Sequence, residues 1–322
     1  MNTIYKIYIA IVIFVSVHIS NSSKAATYTV GTVGNYATLS AAFTDINNGI
    51  ITGAITLNVI SNTTEPATNP AAVLNANGSG AANYSSVLIQ PSGGAWIISG
   101  DVNGRLIRLN GASNVTFDGI NLGGNPSLTI ENTSILTNTG ISTIEFLLGA
   151  NNCIIRNCTV KGSGRRASPT PTGTIYLATG SNHDILINNC TITTSAAGTL
   201  PFNPIASLSN NYNVTVSYCN IQDFNNAAST RNSFGINVNS PGPGTIGTGG
   251  TQSWVVDHNN FFQTGTRSSN ASGNQHGCIY FSNSISTVFG VDITNNVIGH
   301  TAAVGTMDMT ITYNGSSSFA PY

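Results

Sequence analysis

Side chains able to do acid–base or metal chemistry are few and dispersed in this sequence. Only 7% of the 322 residues are charged, against roughly 25% in an average soluble domain. Hydrolysis of a glycosidic bond needs two carboxylates held at a set separation. A lyase needs acids clustered around a cation and a Lys or Arg to take the proton. The acids here do not cluster: Asp118 and Asp257 share a repeat position but lie far apart in the chain, and Asp184, Asp223 and Asp292 stand singly. Zinc-type Cys/His spacing, the HEXXH pair, the phosphate-binding Walker loop and the serine elbow are missing from the sequence. The Gly-rich run GPGTIGTGG at 242–250 follows no helix signal and reads as a surface loop. No catalytic residue, metal ligand or cofactor is assigned.

The basic residues are less scattered. Lys161, Arg165 and Arg166 fall in the segment KGSGRRASPTPT, and Arg231 and Arg267 fall in equivalent segments further on. Arg108, Glu145, Tyr176, Ser207, Asn237 and Tyr280 read as outward positions of a neighbouring strand. Arginine and tyrosine beside a shallow groove can hold a glycan by hydrogen bonds and ring stacking. The candidate glycan-binding set is therefore Arg165, Arg166, Arg231, Arg267, Arg108, Tyr176 and Tyr280. The same residues also fit a plainer role as solubilising charges on loops.

The elements that must position them come from a repeat. The pattern appears as NVTFDGINL (114–122), CIIRNCTV (153–160), DILINNCTI (184–192), NVTVSYCNI (213–221), WVVDHNNF (254–261) and VDITNNVI (291–298). Phe117, Ile155, Ile187, Val216, Val256 and Ile293 share one position; Leu122, Val160, Ile192, Ile221, Phe261 and Ile298 share another, five residues later. An odd separation puts two residues of one flat strand on opposite faces, yet both are apolar, so the chain must turn between them. Asn157, Asn189, Asn259 and Asn295 suit that turn, since Asn tolerates unusual backbone angles. A third strand precedes most copies, as in GRLIRLNGASN (104–114) and STIEFLLGANN (142–152). Three short strands per roughly constant period mark a solenoid.

The pattern resembles the right-handed parallel β-helix, and the fold class is read as all-β: a solenoid with three short strands per coil and an N-terminal capping helix. The five cysteines then acquire a structural reading. Cys158, Cys190 and Cys219 share one position and are expected to stack, with Asn157 and Asn189, as a structural ladder. A disulfide between neighbouring coils is the alternative.

The N-terminus reads as a secretory signal peptide over residues 1–25: an apolar stretch from Ile7 to Val17, then small residues Ser23 and Ala25 before a cut at Ala26. The alternative is an uncleaved anchor. Without Lys6 and Lys24, eight basic residues face eleven acidic ones, which excludes a general nucleic-acid binder. Residues 26–100 are read as an N-terminal cap and first coils, and 101–322 as β-helix repeats. Leu39, Phe43 and Ile46 predict an amphipathic helix over 35–48, stopped at Gly49; residues 62–83 read as a loop.

The opening TYTVGTVGNYATLSAAFTDIN (27–47) resembles the start of secreted or cell-surface β-helix proteins of Bacteroidetes-type bacteria. The resemblance implies a β-helix exported to the cell surface or the medium. The protein is further expected to be a monomer with no transmembrane segment after signal cleavage, and the arginines and tyrosines point to a polysaccharide or cell-surface glycan as its partner. Such proteins often end in a sorting domain; this sequence lacks one and is expected to be part of a longer protein. Many β-helices are polysaccharide lyases or hydrolases, and HGC at 276–278 resembles a short motif of polygalacturonase-type hydrolases, without the companion aspartates. The expected function is a non-catalytic scaffold, adhesin or glycan-binding module. The alternative is a polysaccharide lyase or related enzyme acting on an acidic polysaccharide.

Overall fold

The computed structural model describes residues 25–119, 127–136, 140–163, 172–195, 200–208, 210–224, 232–239, 254–265, 267–269, 275–282, 290–300 and 311–313. The chain winds through three parallel sheets of nine, eight and seven strands. One coil runs from the first sheet (His183–Asn188) to the second (Thr191–Thr193) and the third (Ile205–Ser207), then returns to the first at Tyr212–Ser217. This is a right-handed parallel β-helix, the hand that parallel crossovers take. A two-stranded pair, Arg267–Ser269 with Ile311–Tyr313, lies apart from the three sheets. Among the described residues no helix is long and apolar enough to cross a membrane.

Phe117, Ile155, Ile187, Val216, Val256 and Ile293 are successive register partners. The first five are fully buried, whereas Ile293, in the last described coil, is 48% exposed. Val160, Ile192, Ile221, Phe261 and Ile298 form a second column. Its next member is Ile130, not Leu122. The second-sheet strand of that coil begins at Leu128, so extra chain intervenes and Leu122 falls outside the described residues. Each inward side chain fully withdrawn from water contributes roughly 1.5–3 kcal/mol.

The turn between the first and second sheets explains the odd spacing. Asn157, Asn189, Tyr218, His258 and Asn295 all have φ between 50 and 57°. The first four send their N–H to the next coil: Asn157 to Asn188 O, Asn189 to Ser217 O, Tyr218 to Asp257 O and His258 to Thr294 O. Asn259 is one residue beyond this corner and faces inward. It continues the column of Cys158, Cys190 and Cys219, all buried free thiols.

The cysteine and asparagine rungs share a donor to a carbonyl of the preceding coil, and asparagine adds an acceptor for a backbone N–H. The Cys190 thiol donates to Ile155 O and the Cys219 thiol to Ile187 O, each in the preceding coil. The Asn259 amide donates to Val216 O at 2.9 Å, and its Oδ1 accepts from Cys219 N at 2.9 Å. Asn296 repeats this one coil on, with Val256 O and Asn259 N.

The segment 62–83, read above as a loop, contains strands Thr63–Thr64 and Ala72–Asn75, which complete the coil begun by Gly53–Val59. Their Thr, Pro and Asn content hides them, because strands this short carry too little alternation to see. The helix runs from Leu39 to Asn47, with Thr38 as its N-cap and Leu39, Phe43 and Ile46 buried. The buried Glu65 carboxylate accepts from Leu39 N and Ser40 N, filling the first-turn donors of the helix. The helix also stands in for a missing strand at the edge of the third sheet. Asn47 donates to Val73 O and accepts from Asn75 N, while Ser40 donates to Ala71 O. An open edge is thereby closed.

Asn259→Ala strands a buried N–H and a buried carbonyl, each worth about 1–3 kcal/mol. Urea denaturation is expected to show a loss of about 2–4 kcal/mol. Cys219→Ala gives up only a weak S–H donor and is expected to cost about 1 kcal/mol.

Candidate functional site

The outward row of the third sheet is Arg108, Glu145, Tyr176, Ala206, Asn237 and Tyr280, each in register with the next. Ala206 takes the place expected for Ser207. Ser207 pairs with Leu177 and Val238 instead, and its hydroxyl receives the buried Asn211 amide at 3.0 Å. One residue's shift along a strand moves a side chain to the other face.

This row is not an open groove. Glu145, Tyr176, Ala206 and Asn237 are all buried. Tyr176, Ala178 and Ala206 form a small apolar cluster with Leu147 and Leu208 packed against it. Arg105 lies over the Tyr176 ring, its guanidinium carbon 5.6 Å from the ring centroid. Arg105 Nε donates to Glu145 Oε1 at 2.8 Å, Arg108 Nε donates to Glu145 Oε2, and a further Arg105 nitrogen donates to Gly140 O. One buried carboxylate, 2% exposed, thus fixes two guanidinium groups, of which Arg108 is the more accessible at 26% against 17%. The cluster carries one net positive charge. Tyr280, at the far end of the row, is half-buried and stacked on Phe234 with centroids 4.4 Å apart.

The other predicted ligands of a glycan do not join this cluster within the described residues. Arg165, Arg166 and Arg231 lie outside them. Arg267 opens the strand paired with Ile311–Tyr313. His276 of the HGC segment is buried in the third sheet beside Ser233, and burial pushes its pKa down. Among the described residues no three His, Cys, Asp or Glu side chains stand together as a metal site.

A second constellation escaped the sequence reading. At the corner between the first and second sheets, Tyr218 is 56% exposed and its ring stacks on His258 of the next coil at 4.9 Å and 17°. His258 Nδ1 lies 2.7 Å from Asp257 Oδ2. The Asp257 carboxyl is pulled down to about 2 by hydrogen bonds from Thr294, His258 and Asn295. An ionised carboxylate only accepts, so Nδ1 carries the proton. At the opposite end of the strand Tyr212–Ser217, His183 stacks on Tyr212 at 4.9 Å and 12°, with Nδ1 2.7 Å from Asp184 Oδ2. Asp184 itself accepts from the Asn213 amide at 3.1 Å. A signal was present in the sequence: where three repeats place Asn157, Asn189 and Asn295 at the corner, the repeats of Val216 and Val256 place Tyr218 and His258.

No family model matches the chain, and no curated protein matches it. Solved structures similar to it include ORF18 of Geobacillus virus E2, at 13% identity and a TM-score of 0.38 over 84% of this chain and 50% of that one. Another is a mutant tailspike protein of E. coli bacteriophage HK620 in complex with a pentasaccharide, at 11% identity and a TM-score of 0.28 over 86% of this chain and 60% of that one. The chain thus spans about half the length of the first and three fifths of the second.

Removing Glu145 leaves two arginines facing each other in a partly buried site. Glu145→Ala is expected to lower stability by about 3 kcal/mol. Arg108→Ala, which leaves Arg105 to pair the carboxylate, is expected to cost about 1 kcal/mol. Thermal or urea unfolding of the two variants checks the order.

Proposed function

We propose that the protein is an exported β-helix that binds glycans on its lateral surface without catalysing their cleavage. Residues 1–25 act as its export signal, and it works at the cell surface or outside the cell, like the surface β-helix proteins its residues 27–47 resemble. The observation that carries the binding role is the clamp of Arg105 and Arg108 on Glu145 above Tyr176. Guanidinium groups held this way meet a ligand already ordered, so less side-chain entropy is lost on binding. Arg108 offers nitrogen donors to the carboxylate or hydroxyls of a sugar.

The test is a glycan array at two salt concentrations with the wild type and Arg108→Gln. The wild type is expected to bind at least one acidic polysaccharide, with affinity falling as salt rises. Arg108→Gln is expected to weaken that binding about five- to tenfold, roughly 1–1.4 kcal/mol. Absence of glycan binding by the wild type overturns the reading, as does release of unsaturated sugar products. Mass spectrometry of protein from the natural host is expected to find a mature N-terminus at Ala26.

A further inference from the structure

We infer that the exposed Tyr218–His258 corner is a stacking site for an uncharged pyranose, separate from the arginine clamp. The inference rests on the glycan-binding reading and adds a second subsite with different chemistry.

The argument starts from backbone conformation. From Asn157 onward the positions in this corner column have positive φ, a conformation that Asn tolerates and bulky residues avoid. Asn157, Asn189 and Asn295 obey that preference. Tyr218, at φ 55°, does not, and its partner His258, at φ 53°, is of a residue type that accepts this conformation. Both are adjacent in the stack, both face water, and their rings lie parallel at 4.9 Å. Tyr218 is 56% exposed, so packing in the core gives no reason for a ring there. A strained position that adds nothing to the core points to a use outside folding.

The surroundings hold the pair still. His258 is oriented by Asp257, which is itself fixed by Thr294 at 2.6 Å and Asn295 at 3.0 Å. A flat ring face on a rigid support suits the C–H face of a sugar ring, with Asp257 and the flanking Asn189 and Asn295 in reach of hydroxyls. The charge pattern selects against acidic sugars. Among the described residues the charge adjoining the pair is the Asp257 carboxylate. The cation in its register row, Arg156, lies two coils before Ser217, the neighbour of Tyr218, roughly 10 Å at about 4.8 Å per coil. It is also tied to Asp118 at 2.7 Å.

The same strand of the first sheet carries Tyr212 at its start, stacked with His183. Six residues separate Tyr212 from Tyr218, roughly 20 Å of extended chain. Half-buried Leu186, Thr215 and Val255 lie in register between the two aromatic edges. A chain of several sugars lying across this face would meet a stacked pair at each end.

The test replaces the rings with the residue the corner prefers. The double variant Tyr218→Asn/His258→Asn is expected to keep the wild-type circular dichroism spectrum and to melt at the same temperature or higher, so lost binding is not lost folding. The probes are immobilised neutral glucans, mannans and galactans beside polyuronates. The wild type is expected to bind at least one neutral polymer with little dependence on salt, and the double variant to bind it at least tenfold more weakly. Arg108→Gln is expected to keep the neutral binding. Neutral binding by the double variant equal to the wild type overturns this site and leaves the general reading standing. Acidic binding without any neutral binding by the wild type does the same. A wild type that binds neither class overturns both.

Discussion

Each coil of this solenoid lies about 4.8 Å above the last and in register with it. Every residue therefore has its own counterpart as its nearest neighbour outside its coil. Apolar columns such as Phe117, Ile155, Ile187, Val216 and Val256 follow directly, since like packs on like. So do the polar columns: an amide carries both a donor and an acceptor and can pass hydrogen bonds from rung to rung, as Asn259 and Asn296 do. Charges cannot stack on themselves at this spacing, which makes the low charge content a consequence of the architecture. Charges that do meet across adjacent coils are opposite in sign: Arg108 with Glu145, Asp118 with Arg156, and Glu131 with Lys161.

The same rule separates structural from functional surface. Inside, each position is constrained by the rung above and the rung below. Outside, at a corner, the backbone conformation is inherited while the side chain is free to vary. A departure from the residue the backbone favours is then informative, because packing did not impose it. The clamp over Tyr176 is informative for the opposite reason. An outward position has become buried there, and a carboxylate and two guanidinium groups have been ordered around it.

The sequence carried the interior better than the exterior. The columns through Ile187 and Ile192 were readable because their apolar period survives every change in loop length. Leu122 misled because the pattern alone does not reveal chain inserted before the Leu128 strand, and Ile130 looks like any other apolar residue. The exchange of Ala206 for Ser207 is a one-residue ambiguity in a three-residue strand, too short for alternation to fix its face. Of the candidate site, Arg108 and Tyr176 were legible as neighbours on one sheet. That Glu145 would bind both arginines, and that the row would be covered, depends on packing over the outer face, which no period records. The Tyr218–His258 pair needed the backbone: only with φ known does an exposed tyrosine in an Asn position become an anomaly.

The mixed column of Cys158, Cys190, Cys219, Asn259 and Asn296 bears on how this protein ages in air. In-register parallel neighbours come close enough to be bridged, and oxidation proceeds through the thiolate. Yet Cys158 and Cys219 are held well above the ordinary thiol range by burial and by the neighbouring Cys190. Burial alone takes Cys153 and Cys278 to about 12. A thiol that stays protonated, stays dry and spends its proton on a carbonyl is a poor target for peroxide or disulfide exchange. Cys153, Cys158 and Cys219 meet all three conditions, and an oxidising medium finds little in them to attack while the coils remain stacked.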